Sequence, residues 1–312
     1  MTSLLILGTG ALATLFAARL SASGHAITML GTWPAGLEAL RSHGARLIDE
    51  AGKESAFPVR VTDNPADCHG ARHALVLLKA WQTERAGRDL RSCLAPDGLA
   101  VTLQNGLGNR EVLVRDLGLG RVALGVTTTG ATLVAPGLAQ PAGEGTVSIE
   151  RHSALGPVEA ALRSANFQLE IVDDARSLVW GKLVINAAIN PISALLNIPN
   201  GEILERPAAR QLMESLALEA AEVAHAEGVD LPFSDPAAAA ENVARKTAAN
   251  RSSMLQDVAR GARTEIDVIC GAIVTRGKAY GIATPANDIC WQLVRALEAD
   301  RREIVDAART LR

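Results

Sequence analysis

The chain has 312 residues, 48% of them hydrophobic and 21% charged, with 31 Lys+Arg against 34 Asp+Glu for a formal net charge of -3. This composition excludes intrinsic disorder and fibrous repeats and leaves room for two domains of the usual ~100–200 residues. A near-neutral balance supplies no field to gather polyanions, so neither nucleic acid nor a membrane surface is expected as a partner.

From the start of the chain, Leu4-Leu5-Ile6-Leu7 is a continuous apolar run stopped by Gly8, the pattern of a parallel strand buried on both faces. Residues 4–18 are apolar enough to resemble a secretory signal. They lack a preceding basic segment, are interrupted by Gly8-Thr9-Gly10, and run into Arg19 where a cleavage motif would stand, so they read as folded structure. A helix is expected over 11–23, closed by Gly24, then a strand over 26–30, with Pro34 and Gly36 punctuating the segment after it. Further apolar runs at 74–78, 99–103 and 122–126 alternate with segments of helical composition, which predicts a parallel sheet covered by helices on both faces.

Between residues 130 and 172 the texture turns Gly- and Pro-containing with β character, as in Gly145-Thr146-Val147-Ser148-Ile149. From Ala175 onward strand signals nearly vanish in favour of Ala, Leu, Glu and Arg. The expected fold is therefore α/β, an N-terminal Rossmann-type doubly wound parallel sheet over 1–173 followed by an all-helical domain over 174–312. No other stretch approaches the ~20 uninterrupted apolar residues of a membrane span. Cys68, Cys93, Cys270 and Cys290 are far apart and lack metal-ligand spacing, so reduced, buried thiols in a cytoplasmic protein are expected. The six histidines have no fixed carboxylate companion, and no metal is expected.

Gly8-x-Gly10-x-x-Ala13 lies between the first strand and the first helix. The first glycine suits a tight turn, the second lets backbone approach a pyrophosphate, and the small third residue lets helix and strand pack closely. With Thr9, Ala11 and Leu12, this turn presents helix N-terminal amides to the phosphates. An NAD site would place Asp or Glu about 20 residues further on to hold the ribose hydroxyls. Leu30-Gly31-Thr32-Trp33 stands there instead. Nothing then repels a 2′-phosphate, Thr32 is positioned to hydrogen-bond it and Arg41 to reach it, so NADPH (NADP+) is the expected cofactor.

In the second half, Lys182, Asn186 and Asn190 recur every four residues in a segment that reads as a helix ended by Pro191. The other faces carry Leu183, Val184, Ile185, Ala187, Ala188 and Ile189, so the stripe is expected to be buried, and a buried ammonium needs a polar partner or a ligand. Further on, Ser253 with Gln256 fits a capping box and Thr264 with Asp267 a looser one, so two helices are expected to begin there. Capping explains those residues without requiring Glu265.

These motifs together resemble the ketopantoate reductases (2-dehydropantoate 2-reductases), over residues 4–287. The resemblance rests on Leu78-Lys79-Ala80-Trp81-Gln82, Gln104-Asn105-Gly106, the block from Trp180 to Pro191, Ser252-Ser253-Met254-Leu255-Gln256-Asp257, Thr264-Glu265-Ile266-Asp267 and Gly281-Ile282-Ala283-Thr284-Pro285. It implies NADPH-dependent reduction of 2-dehydropantoate to (R)-pantoate, on the route to pantothenate and coenzyme A, in a cleft between a Rossmann domain and a helical one. By the same resemblance Lys182 is the catalytic lysine and Glu265 the active-site carboxylate. Asn186, Asn190 and Ser253 bind substrate, while Lys79 and Asn105 lie near the cofactor and nicotinamide, with Asn105 also at the substrate.

Three positions depart from the family pattern. Thr32 stands where many members carry arginine, Ala13 replaces the third glycine, and Pro141 replaces a histidine common in the loop before Gly143-x-Gly145. Two other functions share these features: a reductase of the same architecture acting on another 2-oxo acid, and a nucleotide-binding regulatory module without turnover, which would need neither Lys182 nor Glu265. The expected partner is a small-molecule 2-oxo acid, and apolar surface on the helical domain would support a homodimer.

Overall fold

The structure, a computed structural model, describes residues 2–310, with backbone alone for 300–310. The chain divides into two compact units, one of residues up to 104 together with 109–175, the other of 105–108 together with residues from 176 onward.

The first unit runs β1 (Ser3–Leu7), α1 (Ala11–Ala22), β2 (Ala26–Leu30), α2 (Pro34–His43), β3 (Ala45–Ile48), β4 (Glu54–Phe57), β5 (Arg60–Thr62), β6 (Ala71–Val76), α3 (Thr83–Cys93), β7 (Leu94–Thr102), α4 (Asn109–Leu117), β8 (Val122–Thr127), β9 (Ala131–Ala135), β10 (Leu138–Pro141), β11 (Thr146–Glu150), α5 (Gly156–Ser164) and β12 (Gln168–Val172). Its main sheet has the order β12-β11-β8-β7-β6-β1-β2-β5. Every pair in it is parallel except β11 against β8. In β1, Leu4 and Ile6 join the core on one face of the sheet and Leu5 and Leu7 the core on the other, so the apolar run is continuous because both faces are covered.

The chain winds outward from β1 through β2, then returns to β6 on the other side of β1. Strand order therefore reverses at β1, and the carboxyl ends of β1, β2 and β6 border the crevice where open α/β sheets bind ligands. The same strand ends are tied directly: the Gly8 amide donates to the Leu30 carbonyl at 2.8 Å and the Leu77 amide to the Leu7 carbonyl at 2.9 Å.

Two features add to the parallel sheet covered by helices that the sequence predicts. A second sheet, β4-β3-β10-β9, packs on the outer side of α1, which explains why α1 is apolar nearly all round. The β-textured stretch also contains a helix, α5, whose Val158, Ala161 and Leu162 are buried against the main sheet. Pro141 closes β10, paired with Ala131.

The second unit is helical: α6 (Arg176–Leu196), α7 (Glu202–Glu205), α8 (Pro207–Ala226), α9 (Pro236–Lys246), α10 (Ser253–Ala259), α11 (Cys270–Tyr280) and α12 (Pro285–Thr310). Its core forms around α6, with Trp180, Val184, Ala187 and Ala188 in one cluster with Met213, Leu216, Ala220 and Val223 of α8. Pro191 does not end α6 as expected. The helix continues to Leu196, because burying Ile189, Ile192 and Ala194 around the proline outweighs the ~3 kcal/mol cost of its missing hydrogen bond and ring clash. Asn197, at φ 53, supplies the left-handed residue that stops it.

Contrary to the expectation from the sequence, helix α6 is also long and apolar enough to cross a membrane by length and hydropathy. Of that apolar window 72% is buried within the protein, as in a core helix. All four cysteines are buried and unpaired, and burial raises their thiol pKa values, to about 12 for Cys93 and about 11 for Cys290.

Candidate active site

In the first unit the glycine turn has the geometry that a dinucleotide requires. Gly8 leaves β1 at φ +125, and a side chain there would stand 3.0 Å from the Leu77 carbonyl. Gly10 is the N-cap of α1, with no side-chain cap and no acidic residue in the first turn. A Cβ on Gly10 would meet nothing within 4 Å, so the space over it is open to a ligand. The first-turn amides of Ala11, Leu12 and Ala13 have no acceptor inside the helix and favour an anion. Ala13 is fully buried, as close helix–strand packing demands. These residues fit the diphosphate of a dinucleotide.

Around this turn the neighbouring strand ends are locked. Thr9 packs so tightly against Gly31 that a Cβ on Gly31 would lie 2.7 Å from the Thr9 methyl. Lys79 follows β6 and opens a 3-10 turn over Ala80–Gln82. A buried polar network fixes that turn: Gln104 donates to the Leu78 carbonyl at 3.1 Å and to Thr83 Oγ1 at 2.8 Å, and Thr83 donates to Asn109 Oδ1 at 2.8 Å. Thr32 Oγ1 accepts a hydrogen bond from Nη1 of Arg85, on α3. Arg41, the cation that the sequence suggests for the same region, pairs instead with Asp63 at 3.6 Å. Sequence reasoning misses the Gln104 network and Arg85, since each joins residues far apart in the chain.

The second unit assembles the other group. Lys182, Asn186 and Asn190 share one face of α6, with Asn190 buried and the other two partly so. Desolvation lowers the Lys182 pKa to about 8, while the Glu265 carboxylate acts in the opposite sense and raises it. Glu265 is itself only 6% exposed, and its Oε2 accepts from Asn105 Nδ2 at 3.0 Å. Asn186 is half-buried and Asn190 7% exposed, one and two helical turns beyond Lys182 on the same face.

Asn105 reaches Glu265 because residues 105–108, although flanked in sequence by β7 and α4, belong to the helical unit. The Leu107 amide donates to the Val268 carbonyl at 3.2 Å, and Gly106 sits at φ +81 with the site of a Cβ 2.5 Å from that carbonyl oxygen. Only glycine fits there without displacing the segment. Gly106→Ala is therefore expected to cost about 1–2 kcal/mol from the backbone conformation alone. Thermal melting should show a fall of about 2–4 °C or more, and kcat/KM should drop as Asn105 leaves Glu265; an unchanged melting temperature would refute this.

The capping expectations are corrected. Ser252, not Ser253, caps α10, accepting from the Leu255 amide at 3.1 Å, and the Gln256 side chain donates to the Arg251 carbonyl. Ser253 is the exposed first residue of the helix, so its hydroxyl is not consumed by capping. Thr264 Oγ1 accepts from the Ile266 amide, while Asp267 accepts from Trp291 Nε1 and pairs with Arg263 at 3.0 Å. A 3-10 turn over Ile266–Val268 follows Glu265, and α11 starts only at Cys270.

Comparison with known proteins adds an independent line. The family model described as ketopantoate reductase PanE/ApbA matches residues 4–154, and that of the ketopantoate reductase PanE/ApbA C terminal matches 174–298. A 2-dehydropantoate 2-reductase of Halobacterium salinarum is 34% identical over 300 residues, covering 94% of this chain and 98% of that protein. The crystal structure of a PanE/ApbA family ketopantoate reductase from Ralstonia eutropha JMP134 superposes with a TM-score of 0.89 at 32% identity, covering 96% of this chain and 99% of that one. A ternary structure of D-mandelate dehydrogenase with NADH and anilino(oxo)acetate also reaches a TM-score of 0.89, at 25% identity and with the same coverage.

Proposed function

Because the chain belongs to the ketopantoate reductase family, we propose that it is the oxidoreductase that reduces 2-dehydropantoate to (R)-pantoate with NADPH, on the route to pantothenate and coenzyme A. The observation that carries this reading is the half-buried lysine of α6 on one face with Asn186 and Asn190, desolvated to a pKa of about 8 and coupled to Glu265, which Asn105 holds. A ketone accepts hydride only if the negative charge growing on its oxygen is stabilised or neutralised. An ammonium with a pKa near the working pH is suited to both tasks.

The reduced nicotinamide supplies the hydride when bound. Lys182 Nζ donates a hydrogen bond to the keto oxygen and then its proton, so the carbon gains hydride, the oxygen gains the proton and the amine is left neutral until solvent reprotonates it. Glu265 keeps part of the amine population protonated and accepts from Asn105, which holds the carboxylate in place. The carboxamides of Asn186 and Asn190 take the substrate hydroxyl, and the exposed hydroxyl of Ser253 takes its carboxylate. In the first unit Gly8 sets the turn, the amides of Thr9, Gly10, Ala11, Leu12 and Ala13 hold the diphosphate, Thr32 lies on the adenosine side, and Lys79 lies with Asn105 near the nicotinamide.

Initial rates with 2-dehydropantoate, 2-oxoisovalerate, pyruvate and the 2-oxo acid of mandelate, each with NADPH and NADH, test this reading. A site built to hydrogen-bond a hydroxyl rejects an analogue lacking it by about 10⁴-fold when the partners are left buried and unpaired. 2-Dehydropantoate with NADPH should therefore have the highest kcat/KM by a wide margin. A higher value for any other acid, or for NADH, would overturn the corresponding part.

A further inference from the structure

We propose that Arg85 reads the 2′-phosphate of the cofactor in this chain, replacing from α3 the cation that β2 and its loop lack. The inference rests on the dinucleotide reading of the first unit and deepens it. Leu30-Gly31-Thr32-Trp33 contains neither a carboxylate nor a basic residue, so the end of β2 by itself neither holds a free ribose 2′-hydroxyl as a carboxylate would nor attracts a phosphate. Arg85 changes this from 53 positions away, donating from Nη1 to Thr32 Oγ1.

The arrangement has the chemistry of a phosphate clamp. Thr32 Oγ1 accepts from the guanidinium, so its own hydroxyl proton points elsewhere and is available to an anionic oxygen. Asp89, one helical turn on, stands 3.6 Å from Nε, which is buried without a hydrogen bond. The guanidinium edge facing Thr32 keeps further donors, in the planar fork that matches phosphate oxygens. The side chain is about one-third exposed, so the group is restrained yet accessible to a ligand. A surface ion pair with Asp89 alone would not require the bond to Thr32. Arg41, which the sequence suggests for this phosphate, lies 3.6 Å from Asp63.

Calorimetric titration of the full chain with adenosine 2′,5′-bisphosphate and with AMP tests the assignment without turnover. The wild-type protein should prefer the bisphosphate. Arg85→Ala should weaken bisphosphate binding about 10- to 100-fold, the range for a lost charge-assisted hydrogen bond, and leave AMP affinity unchanged. Arg85→Ala binding AMP normally and still preferring the bisphosphate as the wild type does would overturn the inference. Thr32→Asp is a second variant should Arg85→Ala fold poorly: its carboxylate would pair with Arg85 and repel the phosphate, abolishing the preference, and a preference kept intact would again overturn the inference. Wild-type protein binding neither nucleotide would sink the dinucleotide reading itself, and the inference with it.

Discussion

Lys182→Ala is expected to lower kcat for 2-dehydropantoate reduction by about 10²- to 10⁴-fold, the usual contribution of a positioned general acid. The cause is local. Its ammonium sits on the apolar helix at the centre of the helical core, desolvated enough to bring its pKa to about 8, with a carboxylate that prevents it from falling further. Such an amine is a stronger acid than an exposed lysine and is still largely protonated at neutral pH. Because the proton moves in the transition state, kcat and kcat/KM should fall together, with KM little changed. Steady-state kinetics on a variant shown to be folded by circular dichroism decide this. Retention of near-full turnover would remove Lys182 from the chemistry.

Glu265→Gln is expected to cost about 10²-fold near pH 8, through misplacement of the amine and loss of its protonated form, and to change the shape of the pH profile. Reduction needs the ammonium, so the wild-type rate is full below about pH 8 and falls as pH rises through the Lys182 pKa. The Glu265 carboxylate raises that pKa, so the neutral amide should lower it and move the alkaline limb to lower pH. The loss should therefore be larger in mildly alkaline than in acidic buffer. In the reverse direction, pantoate oxidation needs the neutral amine and should rise across the same interval. A Glu265→Gln profile that is merely scaled down, with its limb unmoved, would separate the carboxylate from the titration of Lys182.

The parts of this site that are legible in the sequence are those encoded by near neighbours. The β1-turn-α1 unit is announced by four apolar residues, two glycines and a helix within about twenty positions, and Lys182, Asn186 and Asn190 declare a common face by their spacing. The second sheet is not legible: β4 is mostly exposed and four residues long, and it gains its identity only by pairing with β3. Pro191 misleads because the local preference against helix is outweighed by core packing supplied from α8 and its neighbours.

The same division explains the site residues. Glu265 appears in the sequence as one carboxylate among many, and its link to Asn105 spans 160 positions. Ser252 and Ser253 are indistinguishable by composition; only the bond from the Leu255 amide shows which hydroxyl is consumed by the cap. Arg85 leaves no signal at all, because its partner Thr32 lies on a different βα connection and nothing in the spacing relates them.

The depressed pKa of Lys182 is the claim on which the chemistry turns, and it is directly measurable. The chain has five lysines, Lys53, Lys79, Lys182, Lys246 and Lys278, so their side-chain ¹³Cε resonances can be resolved by heteronuclear NMR and the Lys182 signal assigned by its loss in Lys182→Ala. Titration should show that one resonance moving with a midpoint of about 8, well below the ~10.4 of an unperturbed lysine. A Lys182 midpoint at the ~10.4 of an unperturbed lysine would contradict the account.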